Sequence, residues 1–331
     1  MKQLLQNEIP TYEKIFSFTN LFSAWQDFKK RKKKKKDVAE FASNLIHNLS
    51  VLENDLLSLN YKHGGYFHFK ISDPKPRDIH KALVRDRVIH HAIYRVLYPY
   101  FDPKFIYDSY SCRINKGTHR ALYRFENFIR KVSKNNTKTC WILKCDIQKF
   151  FANINHQILK KILEKHIKDR NIIWLLSQVI NSFSARPDLE VGLPLGNLTS
   201  QLLVNIYMNE FDQFMKRELK VKYYVRYADD FVVLHNEKEY LFILLQYIVV
   251  FLKDKLKLDL HPDKVLIKTL ASGSDFLGWV HFPYHRVLRT TTKKRVIKAL
   301  LHNLKKPVLA SYLGLLKHGN THKLRVILNV G

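Results

Sequence analysis

Tyr223-Tyr224-Val225-Arg226-Tyr227-Ala228-Asp229-Asp230-Phe231-Val232-Val233-Leu234 places two adjacent carboxylates between two apolar, β-favouring runs. Tyr223–Tyr227 and Phe231–Leu234 read as strands, with Ala228, Asp229 and Asp230 at the bend. Aspartate is a good turn residue, so a solvent-exposed hairpin tip is the plain interpretation. The flanks are unusually apolar for a surface tip, and two like charges in a tight turn repel. A bound divalent cation reverses that repulsion. Mg²⁺ takes one or two carboxylates together with substrate phosphates.

Trp141-Ile142-Leu143-Lys144-Cys145 reads as a buried strand leading to a third carboxylate, Asp146. Asp146 and Asp229 meet only if their strands are neighbours. They would then form a site for two ions about 3.5–4 Å apart, suited to in-line attack on phosphorus. Spacing leaves polymerases and nucleases both open.

Working outward, apolar periodicity predicts helices around Gln157–His166 and Ile172–Ser182, a long one after Gly192-Leu193-Pro194-Leu195-Gly196 through Phe214, and another over 238–256. A short strand is expected near Leu258–Leu260. The segment Val38–Leu59 repeats apolar residues at helical spacing, as Phe41, Leu45, Leu49, Leu52 and Leu56. Residues 61–78 look strand-like and stop at the turn-rich Asp73-Pro74-Lys75-Pro76; residues 79–100 and 119–134 look helical.

The chain has 331 residues, enough for two or three lobes, and carries 57 Lys plus Arg against 29 Asp plus Glu, a net charge of +28. An excess that large costs self-repulsion unless the partner is a polyanion. Nucleic acid is the first candidate and an anionic membrane the second. The longest apolar run, Leu241–Leu252, is shorter than the ~20 residues a bilayer span needs, so a buried core helix is expected there. Lys29 to Lys36, one arginine among lysines, reads as a phosphate-contacting patch, with a solvated loop or a nuclear-targeting signal as alternatives. Cys112, Cys140 and Cys145 show neither a disulfide framework nor metal-ligand spacing, and the N-terminus lacks a secretory apolar core. A cytoplasmic location without membrane association is expected.

The motifs, and their order along the chain, resemble those of reverse transcriptases. Tyr227-Ala228-Asp229-Asp230 is similar to their YxDD box, and Asp146-Ile147-Gln148-Lys149-Phe150-Phe151 to their first catalytic motif. Gly192 to Gln201 resembles the loop and helix beneath the template base and incoming nucleotide, Lys264 a lysine approaching the pyrophosphate, and Phe276-Leu277-Gly278-Trp279 the primer-grip turn. The resemblance covers about residues 60–285 and implies an α+β right-hand polymerase. Fingers with a basic N-terminal helical extension would span 1–140, a palm with an antiparallel sheet 141–285, and a helical thumb 286–331. It implies two Mg²⁺ ions (Mn²⁺ a possible substitute) on Asp146, Asp229, Asp230 and the Ile147 carbonyl. It further implies an RNA template, a DNA or RNA primer and deoxynucleotides as partners.

Within that family, Leu195-Gly196 and Ser200-Gln201 replace the commoner QGxxxSP pattern and resemble reverse transcriptases of diversity-generating retroelements. Asp108-Ser109-Tyr110-Ser111-Cys112-Arg113, Lys116-Gly117-Thr118-His119, Asp73-Pro74-Lys75-Pro76-Arg77 and the Asn20-Leu21-Phe22 segment resemble the same group. The resemblance implies a basic accessory variability protein as a further partner and mutagenic copying. Leucine at 195 offers shape where glutamine would offer a positioned amide, which weakens substrate discrimination. The resemblance implies that Phe151 is a steric gate against a ribose 2′-hydroxyl and that Lys75 and Arg77 hold the triphosphate, and Arg113, Lys116 and Gly117 look like part of a loop against the template. Plain alternatives are a core aromatic for Phe151 and solvated surface charge for the basic residues. Three rivals stand: a defence-associated or group II intron-like reverse transcriptase, an RNA-directed RNA polymerase, and a non-enzymatic RNA-binding protein.

Overall fold

The N-terminal apolar repeats fold as a succession of short helices. The computed structural model describes residues 9–72, 76–302 and 306–327. It opens with α1 (Tyr12–Phe16), α2 (Phe18–Phe28), α3 (Lys36–Ser43) and α4 (Leu45–Leu57). The single helix expected over Val38–Leu59 breaks at Asn44, whose backbone sits at φ −125° and ψ 44°. Asparagine side chains compete with helical hydrogen bonds and favour such ends. Leu49, Leu52 and Leu56 are buried, as their spacing predicts. The basic run forms the turn between α2 and α3. Lys33 to Lys36 stay in solvent, while Lys32 lies 4.5 Å over the Phe28 ring.

A hairpin follows, β1 (Tyr66–Ile71) against β2 (Arg77–Ala82), and the helix expected from 79 begins at Val84 instead. The outer edge of β2 explains the difference. His80 donates its N–H to the Leu195 carbonyl at 3.1 Å, and its carbonyl accepts from the Asn197 side chain at 2.9 Å. Those long-range bonds hold 77–82 extended.

The chain continues through α5 (Val84–Phe101), α6 (Thr118–Val132), β3 (Trp141–Asp146), α7 (His156–His166), α8 (Arg170–Asn181) and α9 (Leu198–Gln213). Next come β4 (Tyr224–Tyr227), β5 (Asp230–His235), α10 (Lys238–Leu256) and β6 (Leu266–Thr269). Asn155 and Asp169 cap α7 and α8, accepting the N–H groups of Ile158 and Asn171, each at 2.9 Å. The strands form one antiparallel sheet in the order β4-β5-β3-β6. Leu143, Cys145, Phe231 and Val233 face a large core shared with α5 and α7–α10. Ile142, Val225, Val232 and Leu234 face a second core with α6. Each buried aliphatic or aromatic side chain contributes about 1.5–3 kcal/mol. A one-residue slip of β5 would turn all of them over. Packing on both faces therefore fixes where its first residue, Asp230, must lie.

A smaller sheet, β7 (Ser274–Phe276), β8 (Trp279–His281) and β9 (Arg286–Leu288), leads to α11 (Thr290–His302), α12 (Lys306–Leu316) and α13 (His322–Ile327). The C-terminal helical part thus begins at Thr290, and the 285/286 boundary falls between paired strands. Only one face of α10 is buried, through Leu241, Leu244, Ile248, Leu252 and Leu256, while Phe242, Ile243, Tyr247 and Val250 are exposed. Among the described residues no helix is long and apolar enough to cross a membrane. The strand expected near Leu258–Leu260 reduces to one bridge between Leu260 and Ile147. Cys140 and Cys145 are buried; Cys112 is exposed.

Candidate active site

The sheet's register delivers the carboxylates. Asp146 ends β3 directly opposite Asp230, the first residue of β5. Cross-strand neighbours have Cβ atoms about 4.5–5.5 Å apart, and like charges there are destabilising. Asp229 lies in the two-residue turn between the paired Tyr227 and Asp230. Its carbonyl accepts the Ile147 N–H at 3.2 Å, and Ala228 before it holds φ 56°. The Asp146 carbonyl accepts the His261 N–H at 2.8 Å. Just beyond, Lys264 brings its Nζ to 2.8 Å from Asp146 Oδ1.

This cluster is short of positive charge. Burial first, then the neighbouring Asp146 and Asp230, push Asp229 up to about 6, against the pull of Lys264. Burial also raises Asp230, opposed by Lys144, whose Nζ lies 4.0 Å from it and 4.0 Å from Asp275. Asp275 in turn holds the Arg289 guanidinium at 2.5 Å. Asp230 Oδ1 is buried without a hydrogen-bond partner. Among the described residues no three His, Cys, Asp or Glu side chains close into a metal-binding group by themselves. An acceptor-rich, under-neutralised cluster with open positions suits a hard cation that completes its shell with phosphate and water. The residues present fit such an ion.

The loop expected beneath the nucleotide is tied to β2 and to the segment that follows Asp146. Leu195 and Asn197, on either side of Gly196, are tied to β2 through the His80 bonds. Gly196 has φ 104°, and a Cβ there would stand 2.9 Å from Ile79 Cγ2. Half-buried Phe151 follows Lys149, itself at φ 45°, and the Phe151 carbonyl accepts the Leu193 N–H at 2.8 Å. The proposed gate and the nucleotide loop therefore share one backbone bond. Arg77 is exposed at the start of β2, and Lys75 lies outside the described residues.

The residues expected against the template and primer have these surroundings. Arg113 is engaged within the protein. Its nearly buried guanidinium bonds Asp102 Oδ1 at 2.7 Å and the carbonyls of Ile106, Ser109 and Asp102. Arg85 and Arg87 are likewise engaged, with Asp55 and Asp37. Lys116 donates to the Tyr107 carbonyl and lies 3.5 Å over its ring, and Gly117, at φ 105°, starts α6. Phe276 is fully buried against Phe125. Leu277 and Gly278 form the turn between β7 and β8, both at positive φ.

Sequence reasoning missed Lys144, Asp275, Arg289 and Asn197. Lys144 was within reach, because a residue two before Asp146 shares its face of the strand. The others depend on tertiary placement.

The family model for reverse transcriptase (RNA-dependent DNA polymerase) matches residues 72–281. Protein YkfC of Escherichia coli (strain K12) is 26% identical over 292 residues, covering 76% of this chain and 74% of that protein. The group II intron-encoded protein LtrA of Lactococcus lactis is 26% identical over 296 residues, covering 68% of this chain and 47% of its own length. The putative COX1/OXI3 intron 2 protein of Saccharomyces cerevisiae is 21% identical, covering 71% and 34%. The chain thus spans less than half of these two intron proteins. Apo telomerase from Candida tropicalis shares the fold at a TM-score of 0.55 and 12% identity, covering 72% of this chain and 52% of that one. A family match over most of the chain, with all three carboxylates inside it, makes this protein a member of the reverse transcriptase (RNA-dependent DNA polymerase) family.

Proposed function

We propose that the chain copies RNA into DNA, extending a primer with deoxynucleotides at the Asp146, Asp229 and Asp230 cluster. The observation that carries this reading is the cross-strand pair of Asp146 and Asp230 beside Asp229, under-neutralised and with Asp230 Oδ1 left without a partner. Asp146 and Asp229 would hold two Mg²⁺ or Mn²⁺ ions, with Asp230 and the Ile147 carbonyl assisting. Bound there, such ions activate an attacking hydroxyl and stabilise a leaving pyrophosphate. Lys264 bonds Asp146 in the structure and would turn to a triphosphate bound at the same place. Phe151 would close on the sugar and exclude a 2′-hydroxyl, while Leu195 and Gly196 support the base. Template RNA and primer would lie along the basic surface, held through phosphates in a salt-sensitive way.

We further propose that the enzyme serves a diversity-generating retroelement together with a basic accessory protein, RNA bridging the two like-charged partners. The Leu195-Gly196 and Ser200-Gln201 pattern supports this reading. The intron-encoded relatives favour a second one, an intron-type element with the same chemistry. Primer extension on an RNA template with Mg²⁺ and four deoxynucleotides tests the core reading. Wild type should extend and Asp229→Ala should not; extension by both would remove the assignment. Sequencing the products of wild type and Leu195→Gln tests the finer one. Faithful wild-type copying, or an error spectrum unmoved by glutamine, would favour the intron-type element.

A further inference from the structure

The side chain that precedes the catalytic turn is completely buried. Arg226 lies in β4 and faces α9, on the opposite side of the hairpin from Asp230. Its guanidinium grips Asp212 of α9 in a fork, Nε to Oδ1 at 2.8 Å and Nη2 to Oδ2 at 2.6 Å. Tyr224 donates its hydroxyl to the same carboxylate at 2.8 Å. Nη2 also reaches Ser109 Oγ at 3.1 Å, and Nη1 reaches Asn205 Oδ1 at 3.4 Å. The backbone of Arg226 is bracketed by the 108–110 loop, accepting from Tyr110 N–H and donating to the Asp108 carbonyl, each at 3.0 Å.

The remaining bond of Nη1 is to the carbonyl of Ala228, at 3.1 Å. Ala228 is an alanine in left-handed backbone where a two-residue hairpin prefers glycine. Such a conformation persists only when its surroundings over-determine it. Two bonds do so here, Arg226 to the Ala228 carbonyl and Ile147 N–H to the Asp229 carbonyl. The same α9 that supplies Asn205 and Asp212 begins directly after the Leu195–Asn197 loop. A rigid helix thus connects the nucleotide loop to the turn that carries Asp229, with Arg226 as the link.

We infer that Arg226, locked by Asp212, is a positioning residue that holds the strained Ala228-Asp229 turn in register with α9. The inference rests on the polymerase reading above. A lysine at 226 keeps a cation for Asp212 but cannot bond both that carboxylate and the Ala228 carbonyl. Arg226→Lys should bind RNA and deoxynucleotides within a few-fold of wild type. It should lose about 10–100-fold in kcat, and its affinity for Mn²⁺, titrated by electron paramagnetic resonance without substrate, should fall by a similar factor. Hydrogen exchange at the amides of 228–230 should quicken. Ser109→Ala, which removes one neutral partner of the guanidinium, is the milder variant should lysine prevent folding. It should move kcat and Mn²⁺ affinity the same way, by about 3–10-fold. A variant whose active fraction drops with its melting temperature while Mn²⁺ affinity and turn exchange stay at wild-type values would make Arg226 merely structural and overturn the inference. A wild type without extension overturns the polymerase reading and the inference together. An active wild type matched by both variants overturns the inference alone.

Discussion

Replacing Asp229 with asparagine should abolish primer extension and yet stabilise the metal-free protein at neutral pH. The carboxyl titrates near 3.8 when unfolded and is pushed up to about 6 in the fold, by burial and by Asp146 and Asp230. A raised carboxyl favours the folded state fully below 3.8, and that contribution is lost as pH rises through about 6. Above it, the folded chain carries a charge that its site disfavours. The full difference corresponds to about 3 kcal/mol, reduced to roughly 1–3 kcal/mol because solvent reaches the cleft. At about 2 °C per kcal/mol for a chain of this size, Asp229→Asn should melt about 2–6 °C higher than wild type at pH 7.5 in a chelator. Near pH 4 most of the gain should vanish, since wild-type Asp229 is then protonated in the fold and only partly ionised when unfolded. Excess Mg²⁺ should narrow the gap at pH 7.5 by stabilising wild type alone. Melting curves at the two pH values, with and without Mg²⁺, measure all of this. A variant that melts lower at pH 7.5, or one equally stabilised at both pH values, would refute the view that Asp229 is held in an electrostatically unfavourable place.

The other expectations follow from single contacts. Gly196→Ala must place a methyl 2.9 Å from Ile79 Cγ2 at φ 104°, a strain of about 1–3 kcal/mol on the loop pinned to β2. It should raise the KM for deoxynucleotides several-fold while RNA binding stays unchanged; an unaltered KM would detach this loop from the nucleotide. Phe151→Ala should admit ribonucleotides, read as incorporation in competition with deoxynucleotides, and continued exclusion would leave Phe151 a core aromatic. Arg113→Met removes the partner of Asp102 and should cost about 2–4 kcal/mol of stability in urea unfolding without changing template affinity. A drop in RNA affinity with full stability would restore the template role.

The carboxylates were legible because strands announce themselves locally. Alternating apolar residues on either side of Asp229 and Asp230, and ahead of Asp146, are enough to predict both strands. Whether those strands are neighbours is a tertiary fact that no local pattern contains, and it decides whether the three carboxylates form a site. The basic residues were harder to read for the opposite reason. Arginine is the same residue in a phosphate clamp and in a buried fork, and only its partners distinguish them. Arg77 is exposed, as a phosphate contact requires, whereas Arg113 and Arg226 spend their donors on Asp102, Asp212 and backbone carbonyls. Those partners lie 11 residues away for Arg113 and 14 for Arg226. Neither spacing stands out within a chain of charge +28. The motif around Ser109 and Arg113 therefore looks like a surface loop in sequence and is a bracket in structure. It clasps β4 just before the Ala228-Asp229 turn, through Ser109 and the backbone of Asp108 and Tyr110, and so bears on the position of Asp229.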